Sequence, residues 1–220
     1  MLKKGKEYDQ AVAEYNKLQI EASEESERKR YGLDREIAVM DYLCAAMSNI
    51  VCFHSVKVGP DRGMKSAEID LLLLASNGTI VAIEVKGYDG FYTISEDGKH
   101  LVRLDDSAHP TGKYVKNPIR QLKRAAGLLD AFVRPLINQP DIVPIVMFTE
   151  NFAASVPLTE LFKAELPELK ILRPHHLPAY MEICARLPFR QRSVAIERYK
   201  ILRRIFNKQP ALFPSKAAIS

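Results

Sequence analysis

Asp70, Glu84 and Lys86 interrupt runs of residues that are otherwise apolar. Glu68-Ile69-Asp70 leads directly into four leucines, and Ile83-Glu84-Val85-Lys86 closes the next apolar run. Side chains alternate faces along a strand, so Glu84 and Lys86 share one face. Charges inside an apolar strand require compensation. An ion pair of Lys86 with Glu84 or Asp70 would supply it. So would a divalent cation held by the two carboxylates, with the lysine beside them. Phosphodiester hydrolysis uses that second set. Mg²⁺ or Mn²⁺ on carboxylate oxygens activates a water and neutralises the charge that develops on phosphate. A lysine orients or deprotonates the water and stabilises the transition state. Glu-x-Lys also occurs at Glu27/Lys29 and Glu168/Lys170. The first lies in a charged helical stretch and the second follows Pro167, so the middle copy alone combines an apolar strand with an Asp across a turn.

The turn decides whether the acids meet. A two-residue loop at Asn77-Gly78 would set Asp70 opposite Val85 and turn it away from Glu84. A three-residue loop, 76–78, sets Asp70 opposite Glu84. Gly78 suits the left-handed position that such loops need, and the three-residue loop is expected.

The flanking elements follow from periodicity. Residues 3–30 are polar, alternate in charge and have few apolar positions, which reads as an exposed helix. A second helix over 34–48 carries a stripe of Leu33, Ile37, Met40, Cys44 and Met47, with Glu36 on its edge. Strands are expected at 50–58, 67–74, 79–86, 91–94 and 100–104, with turns at 59–63, 76–78 and 96–99. Asn117-Pro118 reads as a helix N-cap followed by proline at the first helical position. Ile119, Leu122, Ala126, Leu129 and Val133 line that helix's core face, and Arg120, Gln121 and Arg124 point elsewhere. Strands at 142–149 and 169–172 and helices at 177–186 and 190–206 complete an α/β pattern with a mixed sheet.

Composition bounds the class. The 220 residues are 47% hydrophobic and 27% charged, enough for a real core. No apolar run reaches the ~20 residues of a membrane span. No apolar signal core follows Met1-Leu2-Lys3-Lys4, and the scattered Cys44, Cys52 and Cys184 give neither a disulfide framework nor a zinc motif, so a cytoplasmic location is expected. Net charge is +5. Residues 186–208 hold eight basic side chains against Glu197, so the excess is C-terminal. Such a strip suits a phosphate backbone, or forms a solvated helix face. His54, His100 and His109 have no ligand spacing, and the adjacent His175-His176 would diverge. Tyr88, Phe91 and Tyr92 read as strand and turn aromatics, with base stacking as the alternative.

The ordered pieces Gly32-Leu33-Asp34-Arg35-Glu36, Glu68-Ile69-Asp70, Ile83-Glu84-Val85-Lys86-Gly87 with Tyr88-Asp89-Gly90, and Asn117-Pro118-Ile119-Arg120-Gln121 together resemble the nuclease-related domain (NERD) family. That family is a branch of the PD-(D/E)xK restriction-endonuclease-like superfamily. Arg35 stands where the family usually has Gly, and the chain has no Trp. The resemblance runs from about Tyr31 to Thr149, more faintly to Arg186. It implies a three-layer core, a mixed sheet flanked by helices, with the N-terminal helix and C-terminal helices as additions. The expected division is 1–30 for the charged helix, 31–186 for the nuclease-like domain and 187–220 for the basic helix and tail. It implies Asp70 and Glu84 as metal-binding acids, Glu36 as an accessory metal acid, Lys86 as the catalytic lysine and Gln121 as a site-facing residue. The expected activity is Mg²⁺- or Mn²⁺-dependent DNA hydrolysis, with Arg120 and Arg124 near the scissile phosphate. Arg198, Arg203 and Arg204 are expected to grip the backbone. The alternatives are a non-catalytic nucleic-acid-binding or adaptor module, and a protein partner or self-association through residues 3–30.

Overall fold

The computed structural model describes residues 2–47, 50–59, 66–138, 140–165, 170–186, 192–206 and 211–212. The chain begins with one helix, α1 (Leu2–Ala46), where two were expected. Gly32 falls inside it without a break. A glycine costs an α-helix only about 1 kcal/mol, and no proline interrupts these residues. Lys17–Glu21 and Glu25–Lys29 pairs one turn apart support its exposed portion. A boundary between residues 30 and 31 is therefore not marked by any change in secondary structure.

The strands β1 (Val51–Val58), β2 (Ala67–Leu74) and β3 (Ile80–Lys86) form an antiparallel meander. Then β4 (Gly90–Ile94), β5 (His100–Leu104) and β6 (Pro110–Lys116) form a second one. Helix α2 (Pro118–Val133) crosses over to β7 (Ile142–Phe148), which pairs with β3 in parallel. After it come β8 (Phe152–Ala154), α3 (Val156–Glu165), β9 (Lys170–Leu172), a 3₁₀ turn at Pro174–His176, α4 (Leu177–Arg186), α5 (Arg192–Ile205) and β10 (Ala211–Leu212). The sheets run β10-β1-β2-β3-β7-β9 and β6-β5-β4-β8, and both are mixed. Strands β6, β8 and β10 and helix α3 carried no clear signal. Strand β6 is almost wholly exposed, so it lacks the alternation that marks a half-buried strand. The turn at 59–63 lies, apart from Gly59, outside the described residues.

The six-stranded sheet is the middle layer. Val39, Met40 and Leu43 of α1 and Leu177 and Met181 of α4 cover one face, against Leu71, Leu73, Val81, Ile83, Ile145 and Met147. On the other face Ile119, Leu122, Ala125, Leu129 and Val133 of α2 meet Phe53, Leu72, Leu74, Ile80 and Ala82. Leu202 and Phe206 belong to that second core, so α5 is built into the domain rather than appended. The α1 stripe is rotated from its expected position. Leu33 and Ile37 are exposed, and Glu36, Met40, Leu43 and Met47 form the inward row. Glu36 lies on the centre of that face. Among the described residues no helix is long and apolar enough to cross a membrane.

Candidate active site

The β2–β3 turn has the three-residue form. Leu74 pairs with Ile80 and Leu71 with Ile83, and Ala75 and Thr79 close the loop around Ser76, Asn77 and Gly78. Gly78 adopts φ 89°, which a side chain would disfavour. This register puts Asp70 opposite Glu84, one step past the last paired residues. Beyond that point the Asp70 carboxylate accepts the Val85 backbone N–H at 2.7 Å. The acid therefore lies in the gap where the two strands separate.

A second irregularity lies on the same rung. Ser55 of β1, opposite Asp70, has φ 55°, a strained conformation for a non-glycine residue. It reverses the alternation of β1. Cys52 faces the α1 side and Phe53 the α2 side, yet Val56 and Val58 both join the α2 side. On β2 the parity also reverses at Asp70, because Ile69 shares the α2 side with Leu72 and Leu74. The Ser55 hydroxyl donates to the Glu68 carboxylate. His54, in phase with Cys52 and ahead of the reversal, faces α1, where its Nε2 lies 2.9 Å from Glu36 Oε2. His54 is thus a site residue that spacing rules missed. Its only sequence signal was a polar side chain at a buried strand position.

Glu84 is 3% exposed, and Lys86 Nζ stands 2.5 Å from its Oε1. Burial pushes the Glu84 carboxyl up to about 7, reinforced by the Asp70 charge and opposed by Lys86. Burial also raises Asp70, against the opposing pull of Lys86 and the Val85 N–H. Glu36 is raised by burial and by Asp70, with His54 opposing. For Lys86 burial pulls downward, but the charges of Glu84 and Asp70 outweigh it and hold the pKa above the usual lysine value. The ammonium therefore stays protonated, which suits orienting a water or stabilising negative charge and does not suit a general base.

The mutual repulsion of these buried carboxylates is what a bound cation would relieve. Their hard oxygens fit Mg²⁺ or Mn²⁺. Among the described residues, however, no three or more His, Cys, Asp or Glu side chains lie close enough to make up a metal site by themselves. Glu36 is hydrogen-bonded to His54, and Asp70 and Glu84 are the carboxylates whose chemistry would suit a hard cation.

Asn117 caps α2 as expected. Its Oδ1 accepts the Ile119 N–H, and its Nδ2 donates to the Gly98 carbonyl, tying the helix to the β4–β5 turn. Gln121 follows in the first turn, and among the described residues its buried Oε1 has no hydrogen-bond partner, nor has the Thr149 hydroxyl. Arg120 and Arg124 are exposed, and Arg124 donates to the Ser66 carbonyl at 3.3 Å. Arg203 and Arg204 are exposed on α5. Arg198, expected on the surface, is buried instead. It is 2% exposed, donates to the Gly78 carbonyl at 2.6 Å and approaches Asp141 at 3.9 Å. One turn of α5 spaces it with Leu202, so it points into the core and braces the β2–β3 loop. Tyr92 is buried, and its neighbour Tyr88 donates to the Lys116 carbonyl. With Phe148 and Phe152 they form one aromatic cluster, and the reading of these tyrosines as strand and turn aromatics fits it.

A mixed α/β layered fold with an acid–acid–lysine site at a strand divergence defines a nuclease-like class of protein. The nuclease-related domain profile matches residues 31–149, more than half of the chain, and the chain belongs to that family. No curated protein matches it. Two solved structures are similar at 13% identity and a TM-score of 0.29, a repair endonuclease from Pyrococcus abyssi and the EndoMS–dsDNA complex. Each match covers 55% of this chain, but only 39% and 36% of those chains.

Proposed function

We propose that the chain is a nuclease that hydrolyses DNA phosphodiester bonds with Mg²⁺ or Mn²⁺ held by Asp70 and Glu84. The observation that carries this reading is the burial of Glu84 against Lys86, beside Asp70, in an otherwise apolar strand. A structural ion pair alone is a weak reason for such burial, since an apolar pair would stabilise the fold as well or better. The bound cation would supply an activated water and neutralise charge on the phosphate. Lys86, kept protonated, donates to the attacking water or to the non-bridging oxygen that gains charge. Glu36, oriented by His54, adds a flanking carboxylate. Gln121 offers an unpaired acceptor. Arg120 and Arg124 at the start of α2 and Arg203 and Arg204 on α5 attract the DNA backbone without reading sequence.

The test is a titration of Mg²⁺ and Mn²⁺ into wild-type protein and Glu84→Ala, with supercoiled plasmid and single-stranded DNA present. Heat and cleavage are followed together. Loss of both in the variant is expected. A wild-type protein that binds no metal and cuts neither substrate would return Glu84–Lys86 to a structural pair and leave the chain a nucleic-acid-binding or adaptor module.

A further inference from the structure

Arg35 is held against the end of the lysine strand by three contacts that do not serve the acid–lysine site. Its Nη2 lies 3.0 Å from Glu150 Oε1. Its Cζ stands 4.2 Å above the Tyr31 ring. Its guanidinium also occupies the space that a side chain at Gly87 would fill. The Gly87 backbone is not in the left-handed region, so the glycine there makes room for Arg35 rather than for a turn. Glu150 follows Thr149, whose N–H bonds the Lys86 carbonyl at 3.0 Å. Arg35 thus stands one residue from Glu36 on α1, one from Lys86 through Gly87, and one from Thr149 through Glu150.

Arg35 keeps 26% of its side chain exposed and Glu150 41%. An ion pair open to water to this degree is weak and exchangeable. Arg35 covers one face of the Tyr31 ring, while Tyr31 remains 61% exposed. An aromatic ring fixed by an arginine and open to water suits stacking on an unpaired base, and the guanidinium suits a phosphate.

We propose that Tyr31 and Arg35 form a nucleotide seat beside the acid–lysine site. Tyr31 stacks on an unpaired base, and Arg35 leaves Glu150 to take the adjoining phosphate. The substrate class is a single-stranded segment or frayed end rather than continuous duplex. This rests on the nuclease reading, because the seat matters through its position next to Lys86 and Glu36.

The test measures binding without chemistry. Fluorescent single-stranded dT12 and a 12-base-pair duplex are titrated with full-length protein in EDTA, read by anisotropy across a salt series. Wild type is expected to favour the single strand. Tyr31→Ala should weaken single-strand binding roughly tenfold or more, the range of one base stack, and leave duplex binding unchanged. Arg35→Ala should weaken it and lower the salt slope by about 0.7. Gly87→Ala should mimic Arg35→Ala by displacing the guanidinium while keeping its charge, and Glu150→Gln should tighten binding. Thermal unfolding verifies that each variant is folded. Equal affinities in Tyr31→Ala and wild type, a preference for duplex, or no oligonucleotide binding by wild type would each overturn the seat. Metal-dependent plasmid cleavage, measured separately on wild type and Glu84→Ala, keeps failure of the nuclease reading distinct from failure of the seat.

Discussion

The Asp70 carboxylate accepts the Val85 backbone N–H at 2.7 Å, just past the point where the β2–β3 ladder ends at Leu71 and Ile83. A side chain has taken over from the strand. The same rung carries the strained Ser55, so both neighbours of the site are locally irregular. The Asp70 and Glu84 side chains thus lie where the β2–β3 ladder stops rather than within it.

Replacing Lys86 by Ala removes the protonated donor and leaves Glu84 buried without it. Cleavage should fall by at least a hundredfold, the scale of one lost electrostatic contact to the transition state. DNA binding should stay within a fewfold, because the exposed arginines carry it. Plasmid nicking and filter binding on the same preparation test both halves. Undiminished cleavage would sink the assignment of Lys86.

Stability should depend on pH through the carboxylates. Glu84 has a folded pKa of about 7 against an ordinary 4.5, so the folded state holds a proton that the unfolded state has released between those values. Stability is then full below about pH 4.5 and declines as pH rises to about 7, by a few kcal/mol. Glu36 and Asp70, also raised, act in the same sense. Urea melts from pH 5 to 8 should be flatter for Glu84→Gln than for wild type. Added Mg²⁺ should raise the melting temperature more at pH 8 than at pH 5, because only the ionised acids bind it.

His54 orients Glu36 from β1. His54→Ala should lower metal-dependent cleavage about 10- to 100-fold, the usual effect of losing a partner that positions a site acid. His54→Gln, which keeps a donor, should recover part of it. Cleavage rates at saturating metal, compared with rates at limiting metal, separate lost affinity from lost turnover.

Ser55 tests the strained rung. A β-branched residue tolerates positive φ poorly, so Ser55→Val should destabilise the fold by about 2 kcal/mol. Ser55→Gly should be close to neutral, trading relieved strain against the lost Glu68 hydrogen bond. Chemical denaturation of the two variants distinguishes strain from simple loss of the hydroxyl. Equal melts for both would remove the strain argument.

The basic residues of α5 should divide into two kinds. Arg198→Ala should cost about 2 kcal/mol of stability by leaving the buried Gly78 carbonyl without its donor, with no change in the salt slope of DNA binding. Arg203→Ala and Arg204→Ala should each lower that slope by about one and cost much less stability than Arg198→Ala.

Much of the site was legible because its determinants are local. Strand alternation alone puts Glu84 and Lys86 on one face. A Gly in the left-handed position selects a three-residue turn, and the turn sets Asp70 opposite Glu84. Asn117-Pro118 starts a helix by chemistry confined to three residues. Strand β6 stayed hidden because its nearly uniform exposure carries no period.

Other features were decided only when distant segments met. Charge does not specify exposure, so Arg198 and Arg203 look alike in the chain until Leu202 and Phe206 draw one face of α5 into the core. Helical spacing put Glu36 at the edge of a stripe, and packing against β1 rotated that stripe to place it at the centre, against His54. The positive φ at Ser55, which reverses β1 just past His54, has no sequence signature, since serine rarely adopts that conformation by preference. Contacts such as Arg35 over Gly87, between segments some fifty residues apart, arise from the way α1 lies across the sheet. The amino-acid order determined which chemical groups were available and how each strand and turn would present them. The tertiary fold decided which of those groups share a desolvated space, because that depends on helix rotation and strand divergence rather than on spacing along the chain.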